Sequence, residues 1–240
     1  MKFYSICFEC SDLEPNNYVY SIGEVEADLI ALCVCPYGHK IVMRIGYNLC
    51  DILYSSAVLA FVKDCLSESV MSFAASLERA YEMFTKVTLH KENISYDVIE
   101  LYWKDLSKQS ERQYGAFCTQ FLKSFGEPWK TNQKMVEFRN KVIHKGYIAS
   151  TKEVTEYAEY ITESVYKILK HLHANYDNES TMHYFHEAKK NQDKIKELMT
   201  KHKAKVGGAS TISLLNWNIM DMPEMKFSEA VEKMRKLQRI

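Results

Sequence analysis

The sequence predicts a mainly α-helical protein with a small N-terminal β element, on three observations. Apolar residues recur at helical spacing through most of the chain beyond residue 48. Strand-like alternation is confined to the first 46 residues. Only eight Gly and four Pro are present, too few turn formers for an all-β fold.

The 240 residues, 47% hydrophobic and 26% charged, have the composition of an ordinary soluble globular protein. Basic and acidic residues balance at 31 each, so any nucleic-acid site must be a local patch rather than a global field. Residues 1–10 contain no apolar core segment and do not read as a signal peptide. The longest apolar run, residues 45–62, is broken by Asn48 and Asp51, which suits a buried helix better than a membrane span. Seven cysteines without a secretory signal read as reduced thiols or metal ligands in the cytoplasm.

Residues 1–46 form the first segment, a small zinc-ribbon-like β element. Cys7 and Cys10 make a Cys-x-x-Cys. Residues 29–45 alternate as a strand pair around the turn Cys35-Pro-Tyr-Gly-His39. Two knuckles at β-turn tips, about 25 residues apart, would give Cys7, Cys10, Cys35 and His39 as a four-coordinate Cys3His zinc site, with Cys33 a rival ligand. Thiolate and imidazole suit zinc better than magnesium or calcium, and so small a sheet gains from a metal staple. Free thiols in an ordinary small sheet are the alternative.

Residues 47–175 read as a helical bundle. Residues 48–65 are apolar nearly all round and suit a central helix. Residues 67–90 carry Val70, Phe73, Leu77, Tyr81 and Phe84 as an inward stripe, with Glu78, Arg79 and Glu82 off it and facing solvent, Glu78 at its margin. A shorter helix spans 96–106. Ser110 and Gln113 have capping-box spacing and open a helix that runs to about Phe125, stopped by Gly126 and Pro128. Ser150 and Glu153 make a second capping box, opening a helix to about His173 with Val154, Tyr157, Ile161, Val165 and Leu169 inward. Short connections make this an antiparallel bundle of at least four helices.

Residues 176–240 form the third segment. Residues 179–205 read as one increasingly basic helix, in which His183 and His186 are most simply solvated. Gly207-Gly208 reads as a hinge. The tail beyond Thr211, with Leu214, Leu215, Trp217, Ile219, Met220 and Met222, is too apolar to stay free and should pack on the bundle or a partner subunit.

The chemically pointed stretch is residues 135–146. On one helix face lie Met135, Val136, Phe138, Val142 and Ile143, with Arg139 among them. A guanidinium there is costly to desolvate unless something pairs with it. Asn140 follows, and His144, suited to proton transfer near neutral pH, stands at the helix end before Lys145-Gly146. Arg and His five residues apart sit about 140° apart on an ideal helix. They meet only if the last turn loosens or a second copy supplies the partner.

These residues, with Ser76-Leu-Glu-Arg-Ala-Tyr-Glu82 and Gln109-Ser-Glu-Arg-Gln113, give residues 35–172 a sequence that resembles prokaryotic members of the HEPN superfamily (higher eukaryotes and prokaryotes nucleotide-binding). The turn Cys35-Pro-Tyr-Gly-His39 ahead of a helical bundle also resembles phage-related and mobile-element proteins. The HEPN hallmark of Arg, a polar residue and then His is matched by Arg139, Asn140 and His144. The resemblance implies a helical bundle that dimerises so that two motifs face one cleft. Many members are metal-independent endoribonucleases in toxin–antitoxin, abortive-infection and CRISPR-associated systems, while others are non-catalytic. It therefore implies RNA as substrate, a homodimer, and an antitoxin or phage trigger protein as partner, with no cofactor for catalysis and no membrane. In that chemistry the ribose 2′-hydroxyl attacks, His144 moves the proton, Arg139 holds the phosphate and Asn140 orients phosphate or imidazole. A non-catalytic RNA- or protein-binding dimer and a structural zinc-ribbon adaptor are the competing readings.

Overall fold

In the computed structural model, residues 2–11, 19–24, 28–44, 49–207, 214–215 and 226–237 are described. The elements run β1 (Lys2–Ile6), α1 (Phe8–Ser11), β2 (Tyr20–Glu24), β3 (Ile30–Val34), β4 (Lys40–Arg44), α2 (Leu49–Val62), α3 (Leu66–Lys91), α4 (Tyr96–Leu106), α5 (Ser110–Phe125), α6 (Gln133–Lys145), α7 (Thr151–Asn175), α8 (Asp177–Lys190), α9 (Gln192–His202), β5 (Lys205–Gly207) and α10 (Phe227–Leu237). The fold is mainly α with a small β element, as the sequence predicts. No helix among the described residues is long and apolar enough to cross a membrane. The chain divides into two compact units, one of Met1–Tyr47 with Tyr184–Ile212, the other of Asn48–His183 with Ser213–Ile240. Residues 176–240, read from sequence as one segment, are thus shared between both units.

The first unit is built on a five-stranded sheet in the order β1-β2-β3-β4-β5, antiparallel except for the parallel pair β4–β5. The strand pair expected around residues 35–39 is β3 and β4, joined by a turn in which Gly38 takes φ +84°. Where β2 passes β3, a Cβ on Gly23 would lie 2.7 Å from both Cys33 Sγ and the Leu32 carbonyl oxygen, so only glycine fits. Ile30, Val42 and Ala204 form a small core with Ile195, Leu198 and Met199 packed on it.

Here the expectation of one helix over 179–205 fails. The chain breaks at Asn191, between α8 and α9, where the Asn191 amide donates to the Asp28 carbonyl at 2.6 Å. It then leaves α9 through left-handed Lys203 (φ +51°) and adds β5 to the sheet edge. An asparagine that finds a backbone partner outside its own helix gains by leaving helical geometry.

The second unit is organised around α3, which packs against α2, α4, α5, α6 and α7. The central place expected of 48–65 therefore belongs to α3, whose stripe Val70, Phe73, Leu77, Tyr81 and Phe84 is buried throughout. Burying each such side chain contributes about 1.5–3 kcal/mol. The all-round apolarity of α2 has its own cause. One side meets α3, and another is covered by α10, Phe61 meeting Phe227 edge-on at 5.0 Å. Phe227, Ala230, Val231 and Met234 of α10 are all buried, at helical spacing. Leu214 and Leu215 join the same core. The other tail residues singled out from sequence, Trp217, Ile219, Met220 and Met222, lie outside the described residues.

Two helix starts differ. Ser150 and Glu153 form the expected reciprocal capping box, Ser150 Oγ accepting from the Glu153 N–H and Glu153 Oε2 from the Ser150 N–H at 2.9 Å. Ser110 does not cap α5. Gln109 occupies the N-cap without a side-chain bond, and Ser110 Oγ instead donates to Glu111.

Candidate active site and metal centre

The metal-ligand prediction concerns the first unit. Cys7 follows β1, and α1 carries Cys10, so this half of the cluster is a single helical turn rather than the expected β-turn knuckle. It is tied down by the Cys7 N–H donating to the Val19 carbonyl at 2.7 Å and the Ser11 N–H donating to the Cys7 carbonyl. The other half is a tight turn, Gly38 N–H to Cys35 carbonyl at 2.9 Å and Cys35 N–H to His39 carbonyl at 3.1 Å.

The four predicted ligands meet. Their donor atoms all lie within 4.8 Å of one another, the three cysteines are buried, and Cys33 is not among them. Cys10 Sγ lies 3.9 Å from Cys35 Sγ, and His39 Nδ1 lies 3.7, 3.3 and 3.5 Å from the sulfurs of Cys7, Cys10 and Cys35. A tetrahedral ion with bonds of about 2.3 Å to sulfur and 2.0–2.1 Å to nitrogen requires edges of about 3.8 Å (S–S) and about 3.5 Å (S–N). The cluster therefore fits a tetrahedral metal ion. Burial raises the Cys35 thiol, but hydrogen bonds from the His39 and Tyr37 backbone and with Cys7 and Cys10 bring it down to about 7, while burial and the neighbouring Cys7 and Cys35 push Cys10 up to about 12. Burial drives Cys33 up to about 11, keeping it a neutral thiol.

The second site is a cleft of about 820 Å³ in the helical unit, walled by α3, α5, α6 and α7. All three motif residues, Arg139, Asn140 and His144, line it. They come from α6, which ends at Gly146 in left-handed conformation (φ +64°), where the Tyr147 N–H turns back to the Lys141 carbonyl at 3.2 Å. Val142 of α6 is buried and anchors the helix, while His144 and Lys145 stay exposed.

Arg139 has the partner its position demands. Its Nη2 donates to Glu78 Oε1 of α3 at 3.1 Å and its Nη1 to Asn140 Oδ1 at 3.0 Å. Sequence reading put Glu78 at the margin of the apolar stripe but left it facing solvent; in the fold it faces the cleft. Nor are Arg79 and Glu82 free in solvent. Arg79 pairs with Glu82, and Lys86, 5% exposed, sits 2.8 Å from both Glu82 and Glu100. Burial alone would lower the Lys86 pKa, but the Glu82 and Glu100 carboxylates raise it above its ordinary value. His183 too departs from expectation, being buried beside the ring of Tyr96 at 5.9 Å.

No family model, curated protein or solved structure matches this chain.

The same cleft is lined by Tyr81, Tyr114, Tyr157 and Tyr160 with Met135. Tyr81 and Tyr157 are nearly inaccessible, and burial pushes both phenols far up. Tyr114 is pushed up to about 12, mainly by burial, while its hydroxyl bonds Thr131. No sequence signal separated these tyrosines from core residues, because Tyr81 and Tyr157 sit on apolar helix stripes. The cleft thus gathers a guanidinium, an amide, an exposed imidazole and four tyrosines in one lining. Such a set can bind an anion through Arg139 and move a proton through His144.

Proposed function

We propose that this protein is a metal-independent endoribonuclease of the HEPN type, acting as a dimeric toxin or effector in the cytoplasm, in anti-phage defence or a toxin–antitoxin pair. One observation carries the reading: Arg139, Asn140 and His144, singled out from sequence as phosphate grip, orienter and proton carrier, line one cleft. In the proposed reaction the ribose 2′-hydroxyl attacks the adjacent phosphorus and the 5′-oxygen leaves. The products are a 2′,3′-cyclic phosphate and a 5′-hydroxyl. His144 moves the proton at one of these oxygens as general base or acid. Arg139 holds the phosphate and stabilises its developing charge, and Asn140, already bonded to Arg139, fixes that guanidinium. Tyr147 and Ile148, 42% and 89% exposed just beyond the motif, supply apolar surface for a second copy of the chain. The partner's motif would then complete the cleft.

The ion we assign to Cys7, Cys10, Cys35 and His39 is structural zinc. The donor set is typical of closed zinc sites, and a sheet of five short strands gains from a metal staple. The zinc would cross-link β1 to the β3–β4 turn and take no part in catalysis.

The test is incubation of purified protein with total RNA in EDTA. Cleavage should occur in wild type and vanish in both Arg139→Ala and Arg139→Lys, because a point charge cannot reproduce the planar two-pronged grip. Full activity in Arg139→Lys would contradict the assigned role. If RNA binds but no variant and no wild type cuts it, a non-catalytic RNA-binding dimer becomes the better reading.

A further inference from the structure

The cleft is larger than phosphate binding requires. At about 820 Å³ it has the size of a site for an organic ligand, typically about 300–1,000 Å³. Its charges also nearly cancel, since Arg139 and Lys145 share its lining with Glu78 and Glu111. A polyanion entering here gains little net electrostatic attraction, so the apolar half must supply much of the binding.

That half is aromatic, and its rings differ in availability. Tyr81 is stacked on Phe117 at a centroid distance of 4.0 Å, and Tyr157, 3% exposed, abuts Phe138. Tyr160 is half-buried, lines the cleft, and forms no ring pair among the described residues. Tyr114, also half-buried, has one side of its ring against Tyr81 at 5.6 Å and its hydroxyl bonded to Thr131. Both line the cleft together with Arg139 and Gln113.

We infer that the tyrosine wall is a nucleobase subsite, in which Tyr160 with Tyr114 holds the base of the nucleotide whose phosphate Arg139 grips. The inference rests on the reading of this cleft as an RNA site and specifies its ligand as a ribonucleotide recognised through both base and phosphate. Stacking of a base on an aromatic side chain is worth about 1–3 kcal/mol, which is about fivefold to 150-fold in affinity.

The experiment measures calorimetric binding of 5′-AMP, 5′-UMP, ribose 5-phosphate and inorganic phosphate to the full chain in EDTA. The mononucleotides should bind at least about fivefold tighter than ribose 5-phosphate. Tyr160→Leu should abolish that advantage while leaving ribose 5-phosphate and phosphate unchanged, which also shows that the variant is folded. Tyr160→Phe should retain it, and Arg139→Ala should weaken all four ligands. Equal affinity for mononucleotides and ribose 5-phosphate, or an advantage untouched by Tyr160→Leu, would overturn the subsite. RNA cleavage with no mononucleotide preference would sink the subsite and spare the nuclease. A Tyr160-dependent preference without cleavage would do the reverse.

Discussion

Glu78→Gln should strengthen RNA binding, because in the free protein Glu78 occupies the guanidinium that the phosphate needs. The pair is 3.1 Å long, with side chains 30% (Arg139) and 40% (Glu78) exposed. At an effective dielectric of about 20, unit charges about 4 Å apart interact by about 4 kcal/mol. Exposure and screening reduce such a pair to about 1 kcal/mol or less. Removing the carboxylate should therefore return up to about 1 kcal/mol to phosphate binding, a gain of about fivefold. The isosteric amide can still accept one hydrogen bond from Arg139, so stability should change by less than about 1 kcal/mol. The assay is fluorescence anisotropy of a labelled single-stranded RNA against Glu78→Gln in a His144→Ala background, at two salt concentrations. The gain should shrink at higher salt, where a competing surface charge matters less. Unchanged or weaker RNA affinity in Glu78→Gln would refute the competition and leave Glu78 as a positioning residue for Arg139.

Further expectations follow from the same structure. Protein purified without chelator should carry about one zinc per chain, and Cys35→Ser should lose it; metal analysis showing none in wild type would end the assignment. Lys86→Ala should cost about 1–3 kcal/mol in urea unfolding, since it removes a buried cation that bonds both Glu82 and Glu100. Because the folded-state pKa of Lys86 is raised, its contribution is complete below its unfolded pKa of about 10.4 and is lost as pH rises through the folded value. Wild-type melting should therefore fall more steeply than that of Lys86→Ala in alkaline buffer, and parallel curves would show that Lys86 contributes no charge-linked stability. Sedimentation at micromolar concentration should give a dimer, and a strict monomer would count heavily against a composite site.

The parts of this fold that were legible from sequence are those set by local periodicity. The buried stripe of α3 is one, and α4 and the Ser150 cap fall where their residues put them. Both halves of the metal cluster were visible because each is a short local spacing; only their approach needed the fold. The Arg139–Glu78 pair was not legible. Sixty-one positions separate the partners, and Glu78 looks like any charge at the edge of an amphipathic stripe. The tyrosines were hidden by the same logic, since a ring lining a cleft and a ring in the core occupy the same helical positions. The 179–205 helix was misread because its break depends on Asn191 finding Asp28, 163 residues away. Ser110 and Gln113 had capping spacing without capping, since the chain entering α5 puts Gln109 at the cap.

The most direct test of the central claim is the chemistry of RNA ends left by wild type and by His144→Ala in EDTA. The account predicts discrete fragments from wild type with 2′,3′-cyclic phosphate and 5′-hydroxyl termini, and intact RNA from a folded His144→Ala. Identical RNA profiles from the two proteins, or fragments bearing 5′-phosphates, would contradict it.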